Sequence, residues 1–126
     1  MSGPEGCSPE VEAEIKRRLK RMAEVYGEVP LVSEVLAASP DLFLPFTDLS
    51  KRLLLEPQYL SSKEMEIAAV AASVALGSEF CLNVHLPRAL KTGATREELI
   101  EVIMIASFMS MTKAQSVAFR KLDEQS

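Results

Sequence analysis

Apolar residues recur every three or four positions along almost the whole chain, the period of a helix that buries one stripe. Val11, Ile15, Leu19, Met22 and Val25 mark the first run. Ser8-Pro9 supplies an N-cap and a first helical proline, and Gly27 is placed to stop the run, so the spacing predicts a helix over 9–26. Pro30 opens a short helix through Leu31, Val35 and Leu36 that ends before Pro40. Leu42, Phe46, Leu49, Leu53 and Leu54 form a stripe over 41–55, with Pro45 near its beginning and Glu56-Pro57 as its stop. Ser61 and Glu64 have capping-box spacing for a helix over 62–76 that is apolar nearly all round from Ile67 to Leu76. Gly77 ends it, and Ser78 caps a helix that runs to Thr92. Pro87 removes the bond to the Asn83 carbonyl there and predicts a kink just after His85. Thr95-Arg96-Glu97-Glu98 is a second capping box, for a helix carrying Leu99 to Met109, and a last helix over 113–123 carries Val117, Phe119 and Leu122.

No strand survives this reading, since two-residue alternation and Asn-Gly or Asp-Gly hairpin turns are missing. The expected fold class is all-α, a bundle of about six to seven helices. Residues 1–8 read as a flexible N-terminal tail and 9–126 as a single helical domain.

Composition sharpens the picture. The chain has no Trp and only 6% aromatic residues, so its core is aliphatic. A helix that is apolar on more than one side needs cover on more than one side. Two such helices in 126 residues predict that subunits cover each other, as an obligate homo-oligomer. A net charge of −4 provides no basic field for nucleic acid or anionic lipid. The local basic run Lys16, Arg17, Arg18, Lys20 and Arg21 reads as a solvated helix face paired with Glu10, Glu12, Glu14 and Glu24. The apolar stretch Ile67 to Gly77 falls short of the roughly 20 residues a membrane span needs, so no membrane partner is expected. The N-terminal residues lack a basic and then apolar leader, and two cysteines make no disulfide framework; a reducing cytoplasm is the expected location.

The candidate chemistry lies in Ser78-Glu79-Phe80-Cys81-Leu82-Asn83-Val84-His85. Cys81 and His85, the only histidine, are four residues apart and share a helix face. With Ser78 as N-cap, Cys81 stands in the first turn, where the helix dipole favours an anion. A cysteine attacks as thiolate, and a neighbouring imidazole can take or share its proton. Glu66, on the preceding helix, is placed to orient that imidazole. One Cys and one His fall short of the four ligands of a closed zinc site, and Met104, Met109 and Met111 read as core filler. No metal and no cofactor is expected. Cys7, in the tail, reads as incidental.

These residues resemble the AhpD-like, carboxymuconolactone decarboxylase superfamily. The likeness rests on Glu66, then Ser78 twelve positions on, then Phe80-Cys81 and His85. It extends to Leu60-Ser61-x-Lys63-Glu64-x-Glu66-Ile67, to His85-x-x-x-Ala89-Leu90, and to Gly93-Ala94-Thr95-Arg96-Glu97-Glu98-Leu99-Ile100-Glu101-Val102. The resemblance implies an all-helical fold assembled as a trimer or hexamer. In the redox branch of the superfamily, Cys-x-x-Cys-x-x-x-His and an upstream Glu reduce peroxide by thiol–disulfide chemistry. Glu66 and His85 match the proton relay, Cys81 matches the second cysteine, and Ser78 replaces the first. Ser110-Met111-Thr112 stands where the family has Gly-x-Pro.

The expected function is therefore a thiol-dependent oxidoreductase, reducing peroxide through the single cysteine with an external thiol as reductant. A decarboxylase-like lyase is the alternative, with His85 and Glu66 moving protons beside an enolate and a cationic residue holding the carboxylate. Arg88 is a candidate for that cation, though it reads as a surface arginine. A non-catalytic oligomeric member of the family is the third reading.

Overall fold

The computed structural model describes residues 7–125. Every regular element among them is helical, in the order α1 (Pro9–Tyr26), α2 (Leu31–Leu36), α3 (Pro40–Leu54), α4 (Ser62–Leu76), α5 (Glu79–Lys91) and α6 (Arg96–Asp123). The expected tail lies largely outside the described residues. The chain divides into two compact units, one ending at Gln58 and the other starting at Tyr59.

The first unit holds α1, α2 and α3. Ser8 caps α1 by accepting from the Val11 N–H, and Gly27 closes it at φ 84°. Its core gathers Ile15, Ala37 and Phe43, with Val11, Leu19 and Met22 packed around them. The basic face of α1 is paired as its spacing implies for two of its acids: Lys16 reaches Glu12 at 3.4 Å, and Glu14 receives both Arg17 and Arg18. Those arginines pull the Glu14 carboxyl down to about 2. Arg18 also crosses to α3, bonding Thr47 Oγ1 at 2.7 Å and Asp48 at 2.8 Å, a link that helical spacing within α1 does not reveal.

The second unit holds α4, α5 and α6, with α4 packed on both of the others. Val70, Ala89, Ala94 and Leu99 form its buried core, and Ile67, Leu86 and Val102 pack against it. Both capping boxes are present: Ser61 with Glu64 at α4, Thr95 with Glu98 at α6. Lys63 bridges the two helix starts through Glu98 at 3.0 Å. Gly77 turns the chain between α4 and α5 at φ 69°, a left-handed conformation that residues with a Cβ rarely adopt.

One expectation is corrected. The two C-terminal helices are one: α6 runs unbroken through Ser110-Met111-Thr112. Those residues contain neither Gly nor Pro, and Ser110 Oγ and Thr112 Oγ1 bond to the Ala75 and Met109 carbonyls without disturbing the helix. α5 continues through Pro87 to Lys91. Joining the last two helices also makes α6 long and apolar enough to cross a membrane by length and composition, which neither piece is alone.

The expectation that α4 needs cover on every side meets a partial answer. Glu66, Val70 and Ser73 face inward, while Ala68, Ala72, Ala75 and Leu76 lie exposed on another side. On α6, Met104, Phe108 and Met109 are 64%, 55% and 61% exposed.

Candidate active site

Glu66 occupies a core position. It lies four residues before Val70 and seven before Ser73, so the inward stripe of α4 carries a carboxylate where an aliphatic residue belongs. Its side chain is 0% exposed. An ionised carboxylate is costly to bury unless it is paired and hydrogen-bonded. Two residues of α5 meet that need: His85 Nδ1 lies 2.8 Å from Oε2, and Arg88 Nε donates to Oε1 at 2.8 Å.

The helical register of α5 explains the pairing. His85 and Ala89, four apart, are buried against α4, and Arg88, three beyond His85, shares that face. Continuation of α5 through Pro87 is what brings Arg88 to the carboxylate. Burial pushes the Glu66 carboxyl up, but the bonds from His85 and Arg88 outweigh it and hold the group below its ordinary value of 4.5. Glu66 is therefore an acceptor only, and the hydrogen between it and the ring belongs to Nδ1. In a neutral ring, Nε2 is then a bare acceptor.

That second nitrogen is accessible. Among the described residues no buried side-chain nitrogen or oxygen lacks a partner. The His85 side chain makes its one hydrogen bond through Nδ1, so Nε2 meets solvent through the 11% of the side chain that stays exposed.

Cys81 stands one turn before His85 on α5, half-buried and unpaired as a disulfide. Its backbone N–H donates to Ser78 Oγ at 3.3 Å, so Ser78 is the N-cap and Cys81 is in the first turn, as its sequence position implies. Among the described residues Sγ has no hydrogen bond to the ring. The structure thus joins Glu66 and His85 directly, and places Cys81 one helical turn before His85 by register alone.

Arg88 is the site residue that sequence reasoning undervalued. It was expected at the surface; 25% of its side chain is exposed, and its Nε is bound to a buried acid. Its spacing from His85 was the available signal. With Arg88 positive and Glu66 negative, the cluster is electrically neutral while the ring is neutral. No group of three or more His, Cys, Asp or Glu side chains gathers to hold a metal ion among the described residues. A cleft of about 340 Å³ in the first unit, lined by residues of α1 and α3 such as Arg21, Met22 and Leu55, includes none of Glu66, Cys81, His85 and Arg88.

A family model for the carboxymuconolactone decarboxylase family matches residues 40–124. The chain belongs to that family. The match runs from the start of α3 to beyond the end of α6 and includes Glu66, Ser78, Cys81, His85 and Arg88. The AhpD-like resemblance fits this membership, as does the all-helical architecture. No curated protein and no solved structure gives a significant match.

Proposed function

We propose that this carboxymuconolactone decarboxylase family protein is a thiol-dependent oxidoreductase of AhpD-like type, reducing hydroperoxides at Cys81. The observation that carries the reading is the 2.8 Å bond from His85 Nδ1 to the fully buried Glu66. It fixes the ring so that Nε2 is open to accept a proton on the helix face that Cys81 shares.

In the proposed reaction Nε2 takes the Cys81 proton, and the thiolate sulfur attacks the distal oxygen of the hydroperoxide. The O–O bond breaks, the S–O bond forms, and the departing alkoxide receives the proton from His85 as an alcohol. Cys81 is left as a sulfenic acid. With Ser78 where the family has its first cysteine, no intramolecular disulfide forms at the motif. An external thiol condenses with the sulfenic acid, releasing water and leaving a mixed disulfide, and a second thiol frees Cys81 as the external disulfide departs. A reducing cytoplasm would supply those thiols. The neutral cluster of Glu66, Arg88 and ring suits an uncharged hydroperoxide.

A homo-oligomer, trimer or hexamer, is part of the same proposal. The exposed stripe of Ala68, Ala72, Ala75 and Leu76 on α4 and the exposed apolar residues of α6 support it, because such surface is unfavourable in water.

The lyase reading has one observation in its favour, a cation at the site. That cation is already neutralised by Glu66, which weakens it as a carboxylate clamp. The deciding experiment follows peroxide consumption with a small dithiol as reductant, in wild type and in Cys81→Ser, His85→Ala and Cys7→Ser variants. Loss in the first two and retention in the third supports the oxidoreductase. Lactone turnover that survives Cys81→Ser supports the lyase, and inactivity toward both substrate classes supports a non-catalytic member.

A further inference from the structure

Resting on the proton-relay reading above, we propose that Arg88 is a positioning residue whose charge keeps Nε2 of His85 free of hydrogen. It acts through Glu66, which stands between it and the ring.

Each oxygen of Glu66 has one partner: Oε2 faces His85 Nδ1 and Oε1 faces Arg88 Nε, both at 2.8 Å. A carboxylate with no exposed surface and no cation beside it draws a proton into the cluster. That proton has two places to go. On Glu66, it is donated to Nδ1, which forces the hydrogen of the neutral ring onto Nε2. On the ring, it makes an imidazolium with a hydrogen on each nitrogen. Both outcomes close Nε2 as an acceptor. The guanidinium of Arg88 removes the cause, because it supplies a positive charge that does not deprotonate in proteins. With Arg88 in place, the carboxylate, the Nδ1 hydrogen and the bare Nε2 form one consistent arrangement.

Among the described residues, no charged side chain of α4, α5 or α6 other than Arg88 forms a hydrogen bond or ion pair with the Glu66–His85 pair. Lys63, the nearest cation in sequence to Glu66, is held by Glu98.

His85 is the only histidine, so protein labelled with nitrogen-15 in histidine reports a single ring. The ring nitrogens are read by NMR in the full chain, at one pH where the wild-type ring is neutral. Wild type is expected to show a pyrrole-type Nδ1 and a pyridine-type Nε2. Arg88→Met is expected to move Nε2 to the pyrrole-type position, and Arg88→Lys, which keeps the charge, to return it. Arg88→Gln, which keeps a donor and loses the charge, is read in place of Arg88→Met if the latter does not fold by circular dichroism. A wild-type neutral ring with its hydrogen on Nε2 overturns the proposal, as does a folded Met or Gln variant whose Nε2 stays bare.

Alkylation of Cys81 in the same proteins separates this from the relay reading. If Nε2 changes in Arg88→Met while His85→Ala leaves alkylation untouched, the relay is wrong and the role of Arg88 stands. If His85→Ala slows alkylation while Nε2 ignores Arg88, the reverse holds.

Discussion

Nδ1 of His85 lies 2.8 Å from Oε2 of Glu66, across nineteen positions of sequence. The pair is buried, with the acid fully enclosed, and it fixes which ring nitrogen is left as an open acceptor.

Removing the acid should be costly for folding. Glu66→Ala strips a half-buried cation and a buried ring N–H of their common acceptor, and breaking a buried pair typically costs about 3–5 kcal/mol, an upper range here because Arg88 keeps some solvent. Glu66→Gln keeps the volume and one acceptor oxygen and should cost less, about 1–3 kcal/mol. Urea unfolding of the two variants beside wild type gives both values. Equal stability for wild type and Glu66→Ala would contradict the described pairing.

The same acid sets an acid limit on stability. Its carboxyl is held below 4.5 in the folded chain, while the unfolded chain titrates it near 4.5. Between those two values the unfolded state binds more protons, so the contribution is complete above pH 4.5 and is lost as pH falls through the folded value. Denaturation midpoints of wild type should drop on acidification through that window, and those of Glu66→Gln should drop less. Glu14, Glu64 and Glu98 are lowered too, and their shared effect cancels in the comparison. Identical slopes for the two proteins would remove Glu66 from the account.

Reactivity at Cys81 should depend on the ring. Loss of a general base or acid typically lowers a rate by about 10²–10⁴-fold, so His85→Ala should reduce peroxide consumption by roughly 10²-fold. Cys7→Ser should leave it unchanged. Stopped-flow peroxide assays measure both, and a His85→Ala protein as active as wild type would end the proton-relay mechanism.

The core of the second unit gives a control that is unrelated to chemistry. Leu99 is 5% exposed and packs with Val70, Ala89 and Ala94. Leu99→Ala should cost about 2–5 kcal/mol in a chemical denaturation experiment. A loss below that range would mean that the site collapses around the smaller residue.

Assembly can be tested on α6. Phe108 and Met104 are 55% and 64% exposed, one turn apart. Phe108→Glu places a charge in the proposed subunit contact and should shift the protein to a smaller species in sedimentation velocity. A wild-type protein that already sediments as a monomer would remove the contact altogether.

The sequence by itself determined the helices and their ends. Local chemistry sets them: Ser8, Ser61, Ser78 and Thr95 accept from the first-turn N–H groups, and Gly27 and Gly77 adopt left-handed angles that close a helix. Each of these acts within a few residues and is therefore readable in order. The shared face of Cys81 and His85 and the Ser78 cap were legible for the same reason of spacing, whereas the contact of Glu66 with His85 crosses from α4 to α5. One local reading failed: Ser110 to Thr112 lacks any breaker, so α6 continues through it.

Only the tertiary structure decided what the buried polar groups do. Nothing within α4 reveals that the inward position of Glu66 is answered by Arg88, because the answer comes from a different helix, 22 residues away. The charge state of an enclosed acid, the hydrogen on Nδ1 and the open Nε2 all follow from that packing. Burial raises the energy of an unpaired charge, and pairing across helices is a property of three-dimensional neighbours, to which sequence order is blind.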